Sequence, residues 1–154
     1  METDPYKKYL DDLQRSSGWS DLAEIMIAMI MQNANEDEAY GFLNEAGMRL
    51  AKTNPLPETK KLADLMLNMN TRLDSFKWGR VLIEDKGQYL LLKHDILPQA
   101  KNAEEKIWVQ GFACLLSGLY SQWLRQSGAP DTLTLSLDKI VSPSALNFVL
   151  RREP

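Results

Sequence analysis

The spacing of apolar residues changes near Phe76 and divides the chain into a helical first half and a mixed second half. Before Phe76 the apolar residues recur every three or four positions, as on one face of an α-helix. After it, several short segments alternate apolar and polar residues, as half-buried β-strands do. The pattern predicts an α+β fold.

The first half is expected to hold four helices, and the second of these is unusually apolar. A short helix from Pro5 to about Arg15 is predicted to end at Ser16-Ser17-Gly18. From Leu22 to Met31, apolar residues surround almost the whole circumference of the second helix, so it has to be buried on all sides. In a chain of this size we expect another subunit to cover part of it. The residues assigned to that oligomer interface are Ile25, Met26, Met29 and Ile30.

The third and fourth helices are marked by residues that begin and end helices. Asn35 and the acidic triplet Glu36-Asp37-Glu38 are typical of an N-cap and an acidic first turn. This third helix is predicted to stop before Asn54-Pro55-Leu56-Pro57, where a fourth helix starts with proline near its first position. The buried stripe of the fourth helix is expected to consist of Leu62, Leu65, Met66, Met69 and Leu73.

The second half is predicted to form a β-hairpin, a long helix and a second, hairpin-like pair of strands. The first hairpin turns at Asp85-Lys86-Gly87, where glycine can adopt a positive φ. The long helix extends from about Asn102 to Gln126, and the last two strands cover residues 132–137 and 146–151. The four strands are expected to form one antiparallel sheet with the long helix packed across it. We interpret residues 1–154 as a single domain with residues 1–18 as a peripheral N-terminal segment.

The composition is that of an ordinary globular protein, with 44% hydrophobic and 25% charged residues. A net charge of −3 and scattered lysines and arginines disfavour nucleic-acid binding. The most apolar run, Ile25 to Met31, is far shorter than the roughly 20 residues of a membrane-spanning helix. The acidic start is unlike a secretion signal, and the single cysteine, Cys114, cannot form an internal disulfide. We therefore expect a cytoplasmic protein that does not span the membrane.

No residue pattern points to catalysis, to a metal or to a cofactor. One histidine and one cysteine cannot supply the ligands of a structural zinc site. Cys114 lies in mid-helix among apolar residues, so we expect a buried, unreactive thiol. His94 and Asp95 are adjacent on a strand and point to opposite faces, so we expect His94 to bond to the following loop. Gly111, Cys114 and Gly118 place small residues along one side of the long helix, which predicts close approach of a neighbouring element.

Aromatic-anchored motifs in the second half carry further information. Trp78-Gly79 opens the first strand, and His94-Asp95-Ile96-Leu97-Pro98-Gln99 follows the second. Gly118-Leu119-Tyr120-Ser121-Gln122-Trp123 lies in the long helix. In their order and spacing these motifs resemble the D subunit of bacterial cellulose synthase. The resemblance covers about the last half of the chain, from Phe76 onward, and the helical first half matches only in layout.

The resemblance implies a non-catalytic accessory subunit that assembles into a closed octamer of dimers. Such assemblies are thought to organise synthase complexes or to guide nascent glucan chains for ordered export. The partners implied are further copies of the chain, other cellulose synthase or accessory subunits, and glucan chains. Some accounts place the family in the periplasm, which is the alternative to the cytoplasmic location expected from the residues.

The motif residues are expected to be structural and to pack the long helix against the sheet. They are Trp78, Gly79, Leu97, Pro98, Gly118, Tyr120 and Trp123. A contact with glucan or with a partner protein is expected at the N-terminal segment, because aromatic faces stack on sugar rings and anchor protein interfaces. The residues assigned to it are Tyr6, Lys7 and Tyr9.

A second interpretation, from another class of protein, is a small-ligand-binding or sugar-processing α+β domain. Its site would be a pocket between the long helix and the sheet, lined by Trp78, Tyr120 and Trp123. The sequence shows no polar cluster suited to chemistry, which favours the accessory subunit.

Overall fold

A helical segment and a four-stranded sheet follow one another along the chain, with one long helix inserted between the two strand pairs. The structure is a computed structural model that describes residues 5–6 and 17–152. Pro5 and Tyr6 are helical. The elements of residues 17–152 are α1 (Ser17–Asn33), α2 (Glu36–Thr53), α3 (Leu62–Phe76), β1 (Arg80–Asp85), β2 (Tyr89–Asp95), α4 (Glu105–Gln126), β3 (Leu133–Ser142) and β4 (Ala145–Arg152). This order confirms the predicted α+β class.

The four strands form one antiparallel sheet in the order β1-β2-β4-β3, as predicted. Alternate residues of each strand face α4 and form the core of the molecule with it. Leu92 and Phe148, for example, are paired across β2 and β4 and are both fully buried. On the α4 side, Tyr120 packs edge-on against Phe148, with ring centroids 5.7 Å apart.

The turn of the first hairpin has the geometry that its sequence predicts. Gly87 adopts a positive φ of 86°, which costs glycine little because it lacks a Cβ atom. Its backbone N–H donates to Asp85 Oδ1 at 2.8 Å, and Lys86 N–H donates to the Tyr89 carbonyl at 2.9 Å. The turn therefore fixes the register of β1 against β2.

The free edge of β1 is covered by α3 through side chains that act in place of another strand. Asn70 Nδ2 donates to the Val81 carbonyl at 2.9 Å, and Val81 N–H donates to Asn70 Oδ1 at 2.7 Å. Ile83 N–H donates to the Met66 sulfur at 3.3 Å. These bonds satisfy backbone groups that an edge strand otherwise leaves unpaired.

Glycines allow α4 to lie against α1 and α2 at very short distance. A Cβ atom on Gly118 would overlap the backbone of Asn44, and one on Gly47 would overlap the backbone of Leu115 and Leu119. A Cβ on Gly111 would lie 2.5 Å from Ile27 Cγ2. The predicted close approach at Gly111 and Gly118 is confirmed. Gly47 is the glycine of α2 at this contact. No pattern of small residues in the sequence predicted its role.

Two predicted helix boundaries were wrong. The break expected at Ser16-Ser17-Gly18 does not include Ser17 and Gly18, because both belong to α1. Glycine in an exposed helix lowers its stability by only about 1 kcal/mol, so the longer helix is tolerated. The helix expected from Pro55 begins at Leu62 instead. Pro57 disfavours helical backbone at the residue before it, which keeps this segment irregular.

The other helix boundaries and stripes follow the sequence closely. Asn35 caps α2, and its side chain accepts from Glu38 N–H at 2.9 Å. Leu65, Met69 and Leu73 form the buried stripe of α3. The long helix α4 begins at Glu105, three residues after the predicted start, and ends at Gln126 as predicted.

Candidate functional site

His94 connects the three motifs of the second half in the core. Its Nε2 atom lies 2.7 Å from the carbonyl oxygen of Trp78, and its Nδ1 atom is hydrogen-bonded to the hydroxyl of Tyr120. Because a carbonyl only accepts, Nε2 carries the proton and Nδ1 accepts from Tyr120. The expectation that His94 bonds to the following loop was therefore wrong. Antiparallel pairing places Val81 opposite His94 and brings the start of β1 to the histidine.

The His94–Tyr120 pair is uncharged at neutral pH. Burial lowers the pKa of His94 to about 4, and the Trp78 carbonyl and Asp95 oppose this shift without cancelling it. Burial also raises the pKa of Tyr120 well above its ordinary value. With His94 and Tyr120 both buried, the pair joins α4 to the sheet and is not open to a substrate.

Leu97 and Pro98 hold the loop between β2 and α4, and Trp123 holds the chain that follows α2. Trp108 Nε1 donates to the Pro98 carbonyl at 2.7 Å, and Leu97 N–H donates to the Ser144 carbonyl at 3.0 Å. Trp123 Nε1 donates to the Asn54 carbonyl at 3.0 Å. The structure thus brings the motifs together around α4, where the indole N–H groups of Trp108 and Trp123 donate to backbone carbonyls.

Gly79 occupies a position that only glycine can fill without strain. Its φ is 99°, and a Cβ atom would overlap the backbone carbonyls of Asp95 and Ile96. Ile96 itself has a φ of 59°, an uncommon value for a β-branched residue. The chain is therefore tightly packed where β1 begins and β2 ends.

In the part of the chain that the structure describes, Trp78, Tyr120 and Trp123 do not line the pocket expected by the second interpretation. The side chains of Tyr120 and Trp123 are fully buried in the core. Trp78 is partly buried and packs edge-on against Phe112, with ring centroids 4.9 Å apart. The space between α4 and the sheet is therefore filled by these rings, and they line no open pocket.

One side of α1 exposes large apolar side chains. Ile25, Met26 and Met29 are 56%, 52% and 55% exposed. Ile30 is half-buried and packs against the core. A single chain therefore leaves this side of α1 uncovered, and its burial by another subunit stays a prediction. Phe42 of α2 is also exposed, and together with Met29 and Ile30 it lines a groove of about 460 Å³.

The N-terminal residues assigned to glucan or partner contact are only partly described. Tyr6 is 67% exposed. Lys7 and Tyr9 lie outside the described residues.

The outer face of the sheet carries a groove of about 670 Å³ whose charged lining residues Arg80, Lys93 and Asp95 all form ion pairs. Arg80 lies 3.5 Å from Asp95, and Lys93 Nζ lies 2.8 Å from Glu84 Oε1. These pairs are largely exposed, and such pairs contribute little to stability.

A cleft of about 550 Å³ lies between α2, α4 and the second half of β3. Its polar lining consists of Glu36, Asp37, Tyr40, Gln110, Cys114 and Ser117. Cys114 is half-buried on the cleft wall, whereas a fully buried thiol was expected. Burial raises the pKa of the Cys114 thiol, and the Glu36 carboxylate acts in the same direction. The thiol is therefore protonated at neutral pH and weakly nucleophilic.

Within residues 5–6 and 17–152, no three histidine, cysteine, aspartate or glutamate side chains are grouped as a metal site would require. The described helices also include none with the length and apolar character needed to cross a membrane.

These observations describe an α+β domain in which the aromatic residues of the motifs are packed in the core. A model of the family described as the D subunit of cellulose synthase matches residues 6–152. The chain therefore belongs to the family of cellulose synthase D subunits. The match includes the helical first half, so the family pattern extends beyond the region from Phe76 onward in which its motifs were found. No curated protein matches the sequence.

Proposed function

We propose that this protein is a non-catalytic accessory subunit of bacterial cellulose synthase. It assembles with copies of itself and organises synthase complexes or guides nascent glucan chains for ordered export. We place this assembly in the cytoplasm. Membership of the family supports a role with cellulose synthase. The exposed apolar side of α1 is the observation that carries the assembly, because it calls for a covering surface.

The apolar side of α1 continues onto α2 and is suited to a second copy of the chain. Ile25, Met26 and Met29 lie on α1, and Phe42 extends the surface across the groove. Permanent interfaces between identical subunits are larger and more apolar than transient ones. A surface made of two adjacent helices suits a two-fold contact, in which the same patch meets itself. A closed octamer of dimers requires further interfaces beyond this one.

A non-catalytic role is supported by the state of the groups that could do chemistry. His94 is buried and bonded on both ring nitrogens, and Cys114 has a raised pKa. The carboxylates Glu36 and Asp37 lie in the first turn of α2, where the helix dipole accounts for them.

Native mass spectrometry at micromolar concentration tests the assembly, with a charge placed on the apolar side of α1. We expect the wild-type chain to form dimers or larger assemblies and Met29→Glu to shift them towards monomers. The matched control is Leu67→Glu, because Leu67 is similarly exposed but lies on α3. In cells, Met29→Glu is expected to lower cellulose yield or crystallinity, and Leu67→Glu is not. A wild-type protein that is monomeric at this concentration would overturn the proposal.

A further inference from the structure

We propose that the cleft between α2, α4 and β3 binds one or two sugar rings of a neutral glucan chain. This inference rests on the proposed function, because it assigns a place where the assembly holds glucan. It concerns a different part of the chain from the N-terminal segment to which glucan contact was first assigned.

Ser117 is the first reason to expect a ligand in this cleft. The residue as a whole is 2% exposed and lines the cleft, and its side chain makes no hydrogen bond within residues 5–6 and 17–152. Among the described residues the one fully buried side-chain polar atom without a partner is Asp21 Oδ1, so the Ser117 hydroxyl is open to the cleft and available to a ligand. A ligand hydroxyl in the cleft would donate to Ser117 or accept from it.

The other lining groups match the chemistry of a sugar. The Gln110 amide can donate and accept, and the carboxylates of Glu36 and Asp37 accept. Tyr40 accepts from Asn44 Nδ2 at 3.4 Å, which leaves its own O–H free to donate to a ligand. A sugar ring offers hydroxyls that can both donate and accept along its edge.

The apolar part of the cleft suits the faces of the same ring. Met31, Leu137 and Ile140 line it beside the polar groups. Sugar rings present C–H groups on their faces, and these pack against apolar and aromatic surfaces. A volume of about 550 Å³ lies within the range of small-ligand sites.

The charge of the cleft favours a neutral ligand over an anionic one. Glu36 and Asp37 both line it, and within residues 5–6 and 17–152 no lysine or arginine does so. Phosphorylated sugars and nucleotides would be repelled by these carboxylates. An uncharged β-glucan carries no such penalty.

Isothermal titration of the full-length assembly with cellotriose tests the cleft. We expect weak binding to the wild-type protein, because the cleft is half open and association has to offset lost freedom of the ligand. Gln110→Ala and Ser117→Ala are each expected to weaken binding roughly two- to tenfold, as the loss of one hydrogen bond does. Gln126→Ala is the matched control, because Gln126 ends the same helix outside the cleft. Native mass spectrometry and circular dichroism verify that every variant is folded and assembled.

Two results would overturn the cleft as a sugar site. One is the absence of cellotriose binding at millimolar concentration, and the other is equal binding by the wild-type protein and both cleft variants. Neither bears on the assembly, which the Met29→Glu variant tests through oligomeric state and cellulose yield. Failure of the cleft and failure of the proposed function are thus distinguishable.

Discussion

At the scale of single residues, His94 shows how a histidine can be structural in a chain that has only one. Its two ring nitrogens bond the Trp78 carbonyl and the Tyr120 hydroxyl, so it links the start of β1 to α4. The sequence predicted that Trp78 and Tyr120 pack between helix and sheet, because large apolar side chains favour the core. It did not predict their link through His94, which depends on strand register and on the position of α4.

Protonation of His94 is expected to destabilise the fold in acid. Its pKa is about 4 in the folded chain and about 6.5 when unfolded, so the unfolded chain binds the proton more tightly. The contribution of His94 to stability is complete above pH 6.5 and is lost as the pH falls towards 4. The full change is about 3 kcal/mol. Urea unfolding of the wild-type protein between pH 7 and pH 4 measures it.

His94→Gln provides the comparison, because glutamine can hydrogen-bond but does not titrate in this range. We expect this variant to be less stable than the wild-type protein at pH 7, and the difference to shrink as the pH falls to 4. Carboxylates are present in both proteins, so the difference between their free energies of unfolding reports the contribution of His94 alone. A constant difference over this range would show that His94 does not titrate as described.

At the scale of elements, apolar periodicity predicted the type of almost every helix and strand that the structure describes. The stripe of α3 and the alternation in β1 and β2 agree with burial, because one face of each element packs on the core. The errors lie at boundaries. Pro55 suggested a helix start, but Pro57 two residues later prevented it, and the helix begins at Leu62. Local signals compete at such points, and periodicity alone does not decide between them.

Gly118 is expected to control the distance between α2 and α4. Gly118→Ala would place a methyl group against the backbone of Asn44, which cannot move without shifting α2. We expect a loss of about 1–3 kcal/mol or more in the free energy of unfolding, as overpacking of a core causes. Denaturant unfolding monitored by circular dichroism measures this loss.

The matched control for Gly118 is Gly41→Ala on α2. A Cβ atom on Gly41 meets no atom of the described residues within 4 Å, so alanine fits there and favours the helix. We expect this variant to be as stable as the wild-type protein or slightly more so. If both variants had the same stability, the close α2–α4 contact would not be the reason for glycine at position 118.

At the scale of the whole molecule, surfaces are the part that the sequence predicted least well. The apolar side of α1 was visible in the sequence because its residues are contiguous. The cleft was not, because Glu36, Gln110 and Ile140 come from three distant segments. Each of these residues is ordinary for its own element, and only the packing of α4 against α2 and β3 places them around one space. No pattern within a single segment of the sequence predicts that arrangement.

The N-terminal segment is expected to serve function and not assembly. Deletion of residues 1–10 removes Tyr6, Lys7 and Tyr9 and retains all of α1 and every buried residue of the core that the structure describes. Because the apolar side of α1 is retained, we expect native mass spectrometry to show the wild-type oligomer. Cellulose yield or crystallinity in cells is expected to fall, since exposed aromatic side chains such as Tyr6 can stack on sugar rings or anchor a partner. Full cellulose output from an assembled, truncated protein would instead assign the guiding role to another surface, such as the exposed Arg151-Arg152 end of β4.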